Sequence, residues 1–216
     1  TTFAYHKESD LSEIIDLLPH SLGHRIATEL SRRSVDELRL NSVETRPLRE
    51  MLRTFAAKAG MSDVVVDQVW DWGMRDFTRA AGRRLRKQDV DVLYAYEYSA
   101  LEAFHEARKL GIARILDFPS LNSRQFELLQ QDQRTRFPEL RGKNDTYFEN
   151  KFEERQARRD AEVALADIII TNSSVTRASH ISAGAPPDRT FVVNLAAPPT
   201  IASITPRSLD GPLRVI

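Results

Sequence analysis

The chain has 216 residues, 41% of them hydrophobic and 29% charged, enough apolar material for a sizeable core in one large domain or two small ones. Its 31 Lys and Arg balance its 31 Asp and Glu, so no global positive field is available to hold nucleic acid. The absence of Cys excludes a disulfide framework, a thiolate zinc site and a cysteine nucleophile, and no apolar run reaches the roughly 18 residues of a membrane span. With no basic-then-apolar leader, a soluble, cytoplasmic chain is expected, peripheral membrane contact being left open.

Strands are predicted in chain order at residues 2–6, weakly at 42–46, strongly at 91–96, and then at 113–118, 167–171 and 190–195. Helical patterns lie between them. The alternation predicts an α/β, Rossmann-like doubly wound parallel sheet with helices on both faces. Residues 63–87 form the clearest helix, with Val66, Val69, Trp70, Gly73, Phe77 and Ala80 at spacings of three and four. Its cationic end, from Arg79 to Lys87, complements the helix dipole, and Trp72 falls off the apolar stripe.

Ser99-Ala-Leu-Glu102 reads as a capping box for a helix closed by Gly111, and Asn122 with Gln125 as the start of one stopped by Pro138. The charge-dense stretch 145–166 reads as a helix whose Glu, Arg and Lys side chains mostly make solvated i to i+4 pairs. Residues 197–212 hold four of the ten prolines without apolar periodicity and are expected to link domain 1–196 to a second domain beginning at 213–216. Thr in place of Met at position 1, and a strand-like run that breaks off at Ile216, imply an excerpt of a longer protein whose first strand is missing.

Several kinds of chemistry are missing. None of the eight Gly forms Gly-x-Gly, no phosphate loop or Gly-x-Ser-x-Gly elbow occurs, and the five His are scattered, so neither a dinucleotide fingerprint nor a metal site is supported. What remains is position: ligands of open parallel sheets bind beyond the carboxyl ends of the strands. That rule selects His6 and Lys7, Glu97, Tyr98 and Ser99, Pro119 and Ser120 after Asp117, and Asn172, Ser173 and Ser174. Ser99, Asn122, Asn172 and Ser173 are also sufficiently explained as helix caps, Asp117 as a loop acceptor and His6 as a structural residue. Glu97 ends a hydrophobic strand without being a cap, which makes it the best ligand-binding candidate.

The run Asp91-Val-Leu-Tyr-Ala-Tyr-Glu97, followed by Ala107-Arg-Lys-Leu-Gly-Ile112 and a strand ending in Asp117, resembles the N-terminal domain of GT-B-fold glycosyltransferases. The stretch Glu162-Val-Ala-Leu-Ala-Asp-Ile-Ile-Ile-Thr-Asn-Ser173 is similar to a signature of their family 4 retaining members, and Gly184-Ala-Pro-Pro-Asp-Arg189 with Phe191-Val-Val-Asn194 to the turn and strand that follow it. The resemblance covers residues 89–216. It implies one half of a two-domain enzyme that moves a sugar from a nucleotide-sugar donor to an acceptor hydroxyl with retention, without an obligatory metal or other cofactor. This half would grip the acceptor through Glu97, Tyr98, Ser99, Asp117, Pro119, Ser120, Asn172 and Ser173. The donor site, with its catalytic groups, would lie in the absent domain, so the excerpt alone is expected to be inactive. Ala196-Ala197 stands where the family often has Gly. The rival readings are a non-catalytic α/β binding module and a sugar-nucleotide epimerase of related architecture.

Overall fold

The computed structural model describes Thr28 and residues 48–196. The strand candidates at 2–6 and 42–46, with His6 and Lys7, lie outside these residues, as do the expected linker and the run at 213–216. The described elements are α1 (Leu48–Lys58), α2 (Asp63–Leu85), β1 (Val92–Tyr96), α3 (Leu101–Lys109), β2 (Ala113–Phe118), α4 (Ser123–Arg136), α5 (Asp145–Leu165), β3 (Ile168–Thr171), α6 (Ser174–Ser182) and β4 (Thr190–Val192), with single 3-10 turns at Pro138–Leu140 and Pro187–Arg189. The strands form one parallel sheet in the order β1-β2-β3-β4, with Tyr94 beside Ile115 and Asp117 beside Ile170.

Alternation along the strands sorts the side chains onto two unequal faces. Leu116, Phe118 and Ile169 are buried on one of them against Ala100 and Phe104 at the start of α3, Leu165 and Ala166 at the end of α5, and Ala185 after α6. The expected α/β parallel sheet is therefore present. Its helices cover one face; the second helical layer predicted for the opposite face is not found among the described residues.

Helix α2 starts where the sequence places it, with Ser62 Oγ accepting the Val65 amide as N-cap. It crosses α3 closely because Gly82 has no side chain: a Cβ there would stand 3.4 Å from the Ala103 Cα and 3.1 Å from Glu106 Cγ. Thr78, also on the buried side of α2, accepts the Ala103 amide at 3.2 Å. Trp72 lies off the stripe as predicted, half-exposed, with the Arg49 guanidinium 3.3 Å above its ring. At the cationic end of α2, Arg86 pairs with Glu106 of α3 at 2.8 Å.

Two of the predicted caps form differently. Asn122 does cap α4, accepting the Arg124 amide at 3.0 Å, but Gln125 reaches Ser182 rather than back to the cap. The Ser99–Glu102 box does not form: the N-cap of α3 is Ala100, the Ser99 hydroxyl donates to the Tyr96 carbonyl, and Glu102 pairs with Arg158. The amides at this helix start go instead to a carboxyl group from α5, whose two oxygens accept more bonds than one serine hydroxyl can.

The prediction that the charges of α5 are mostly solvated also needs correction. Lys151 and Glu154 do make an exposed i to i+3 pair, yet Gln156, Arg158 and Glu162 are buried. One side of α5 is a polar seam against α2 and α3, where Arg155 meets Asp67 at 2.6 Å and Tyr147 donates to the same carboxylate.

Candidate functional site

The carboxyl edge of the sheet is built from the loops that follow β1, β2 and β3. The loop after β1 turns sharply, and Tyr98 takes the left-handed conformation at φ 66°. A non-glycine residue there costs on the order of 1 kcal/mol, so the surroundings must fix it. They do so from every side. Its amide donates to Glu162 Oε2 at 2.6 Å, its carbonyl accepts from Arg158 Nε at 3.0 Å, its ring stacks on Trp70 with centroids 5.1 Å apart, and its hydroxyl donates to Asp71 at 2.5 Å. Burial, reinforced by that carboxylate, pushes the Tyr98 phenol up to about 12. Tyr98 is therefore an internal prop and not the rim residue expected.

Glu162 organises the same loop. Its wholly buried carboxylate accepts the amides of Tyr98, Ala100 and Leu101, the last two at 3.0 Å, and so serves the free N–H groups of α3 from a distant helix. Burial pushes its pKa up to about 7, while the three amides and Arg158 pull the other way. Arg158 grips Glu102 with a two-pronged contact at 3.0 and 2.6 Å. Burial alone would raise the Glu102 carboxyl, but this fork outweighs it and holds the group low.

Glu97 lies at the mouth of the loop, partly exposed. Its carboxylate accepts from Ser120 Oγ at 2.9 Å and from Arg159 Nε at 3.3 Å, joining the loops after β1 and β2 to α5. Pro119 and Ser120 are exposed, and the Pro119 carbonyl accepts from Asn172 Nδ2 at 2.6 Å. Asn172 Oδ1 accepts from Thr176, while Ser173 caps α6 by accepting the Thr176 amide at 3.1 Å. Glu97, Ser99, Pro119, Ser120, Asn172 and Ser173 thus stand along one polar edge. Asp117 does not join them, because strand alternation turns its carboxylate to the helix-free face, where Tyr94 donates to it.

The structure adds Arg159 and His180, which the sequence reading passed over. The Ser120 carbonyl can only accept, so His180 Nε2 carries the proton at 3.0 Å and Nδ1 accepts from Asn122 at 3.4 Å. Burial, against the Ser120 carbonyl and the charge of Glu97, depresses the pKa of His180, and its ring stacks on Phe118 with centroids 3.8 Å apart. Arg159, His180 and Phe118 border a cleft of about 430 Å³ between α5 and the turn after α6, lined also by Gln156 and Arg189. Among the described residues no three His, Asp or Glu side chains gather as a metal site, and no helix is long and apolar enough to cross a membrane. The edge offers hydroxyls, a carboxylate, amides and guanidinium groups, which suit recognition of a polyhydroxylated or otherwise polar ligand.

No protein-family model matches the chain, and no curated protein matches its sequence.

Proposed function

We propose that the chain is the acceptor-side half of a retaining glycosyltransferase, which takes a sugar from a nucleotide-sugar donor and delivers it to an acceptor hydroxyl. The observation that carries this reading is the contact of Glu162 with the loop at 98–101. Glu162 opens the family-like stretch 162–173, and the loop follows directly on the family-like stretch 91–97. Two segments that resemble the same enzymes on sequence are thus joined in one interaction. In this reading Glu97, Ser99, Ser120, Asn172 and Ser173 orient the acceptor, Pro119 shapes the edge, Arg159 holds Glu97, and Tyr98 keeps the loop rigid. Orientation of two substrates is what such a half contributes, and the donor and the groups that act on it belong to a facing domain.

The test is nucleotide-sugar turnover by the intact protein that carries this domain. A panel of donors is screened first by thermal shift and then by release of the nucleoside diphosphate with candidate acceptors. Acceptor-dependent release is expected for one donor. Glu97→Gln should raise the acceptor KM about tenfold to a hundredfold, the worth of one charge-assisted hydrogen bond, and leave the donor KM unchanged. A protein that neither binds nor turns over any nucleotide-sugar is not this enzyme.

A further inference from the structure

The cleft between α5 and the turn after α6 is left unused by the acceptor reading. Helix α5 lines it with Gln156, Arg159, Asp160, Val163 and Ala164, whose spacings of three, four, seven and eight put them on one side of the helix. Ala183, Gly184 and Ala185 line it from the turn after α6, and its 430 Å³ falls within the range of small-molecule sites. The hydrogen bonding of this lining is one-sided. His180 is occupied at both nitrogens, and Asp160 at both oxygens: Oδ1 accepts from Gln156 Nε2 at 2.7 Å and Oδ2 from Arg124 at 2.9 Å. Gln156 Oε1 accepts from Ser123, and Asn122 Oδ1 from the Arg124 amide. What these side chains keep unspent among the described residues is N–H: a second hydrogen on the Asn122 and Gln156 amides, both Nη of Arg159, whose Nε goes to Glu97, and Nε and Nη2 of Arg189. Arg189 weighs most. Its Nη1 donates to the Ala166 carbonyl at 2.7 Å, and among the described residues no carboxylate pairs with it although the residue is half-buried. A guanidinium drawn partly out of water without a counter-charge favours an anion beside it.

We propose that the cleft binds a small organic oxyanion, a carboxylate or a phosphate monoester, with its charged head on Arg189 and its body along Val163, Ala164 and Pro186. A guanidinium matches either head with paired N–H groups. Arg159 and Ala166, the residue that anchors Arg189, are seven positions and so about 10 Å apart along α5, with Val163 between them. The end away from the head therefore meets the donors of Arg159, Gln156 and Asn122, which suit hydroxyl or carbonyl oxygens. Gln156 and His180 there are 1% and 2% exposed and already hydrogen-bonded, so that wall is fixed before a ligand arrives. This site is independent of the transferase reading, which assigns the acceptor to the edge around Glu97.

The test is titration of the full chain with phenyl phosphate, benzoate, inorganic phosphate and neutral benzyl alcohol, followed at the backbone amides by NMR. Phenyl phosphate or benzoate is expected to shift the Val163, Gly184 and Ala185 amides saturably, the tighter of the two identifying the head. Inorganic phosphate, which lacks a body, and benzyl alcohol, which lacks the charge, should each bind at least about tenfold more weakly. Arg189→Gln should weaken the organic anion about tenfold to a hundredfold, the range of a charge-assisted hydrogen bond, whereas Arg136→Gln, which takes the same charge from exposed α4, should leave it unchanged. Ala164→Glu sets a carboxylate on an exposed position of the lining and leaves the Arg189 contact with Ala166 intact; it should weaken the anion at least about tenfold and serves if Arg189→Gln disturbs folding. Cleft amides unmoved by either organic anion at about 20 mM, well above a millimolar Kd, overturn the proposal. So does undiminished binding by either folded cleft variant, an equal loss in Arg136→Gln, or benzyl alcohol or inorganic phosphate binding as tightly as the organic anions.

Discussion

Glu162→Gln separates the two forces that act on the buried carboxylate. The carboxylate holds three amides, and replacing one oxygen with an NH2 group sets a donor against the Tyr98 or the Ala100 and Leu101 amides. At least one buried N–H is then left without an acceptor, which costs about 1 to 3 kcal/mol. Titration changes that figure. Because burial raises the folded pKa of Glu162 from 4.5 to about 7, this group stabilises the fold most below pH 4.5, and its contribution is lost as pH rises through 7. The full swing is on the order of 3 kcal/mol for a shift of this size, at 1.36 kcal/mol per unit. Gln does not titrate. Urea denaturation of both proteins from pH 4.5 to pH 8 should therefore show the variant less stable at the acid end and level with the wild type, or ahead of it, at pH 8. A deficit that grows with pH would refute the reasoning, since it would mean that the amides and Arg158 outweigh burial and keep the carboxylate ionised.

Further outcomes follow from the same packing. Tyr98→Phe removes the hydroxyl that Asp71 accepts inside the α2–α5 seam and should cost about 1 to 2 kcal/mol by urea denaturation; an unchanged midpoint would place that hydroxyl in water. Gly82→Leu forces atoms into the backbone of α3 and should lower stability by about 1 to 3 kcal/mol, seen as a lower melting temperature. His180 gives a pH dependence opposite to that of Glu162. Its depressed pKa means that its stabilisation is present above about pH 6.5, the unfolded value, and is lost as pH falls through the folded one. His180→Gln should flatten that acid-side loss in a thermal melt series, and an unaltered slope would exclude the histidine as its source.

The sheet was legible because its signal is local. The hydrophobic runs at 91–96, 113–118 and 167–171, the start of α2 near Asp63 and the cap at Asn122 are decided by neighbours a few places away, and each formed close to its expected place. The loop at 97–101 was not, because its partners are remote: Ser99 and Glu102 have the spacing of a capping box, but a carboxylate more than sixty positions on takes the amides. A signal for this did exist in the chain. Glu162 precedes the buried Leu165 and Ala166 by three and four positions and so shares their face of the helix, which makes a solvated reading of it inconsistent with its own stripe. Tyr98 misled for a similar reason. A polar aromatic at the end of a strand reads as an edge residue, and only the approach of Trp70 and Asp71 on α2 turns it inward. The position of Asp117 was recoverable from alternation alone, since Leu116 and Phe118 on either side of it are core residues.

Strand order and chain order coincide in this sheet, and that bears on how the protein is made. Among the described strands, each one after β1 finds its hydrogen-bonding neighbour already synthesised as it leaves the ribosome, so pairing can keep pace with translation. The loop after β1 is the exception. Its three amides find their acceptor on α5, which follows β2 in the chain, so the Glu162 contacts that fix this loop can form only after the β1–β2 pair has been synthesised.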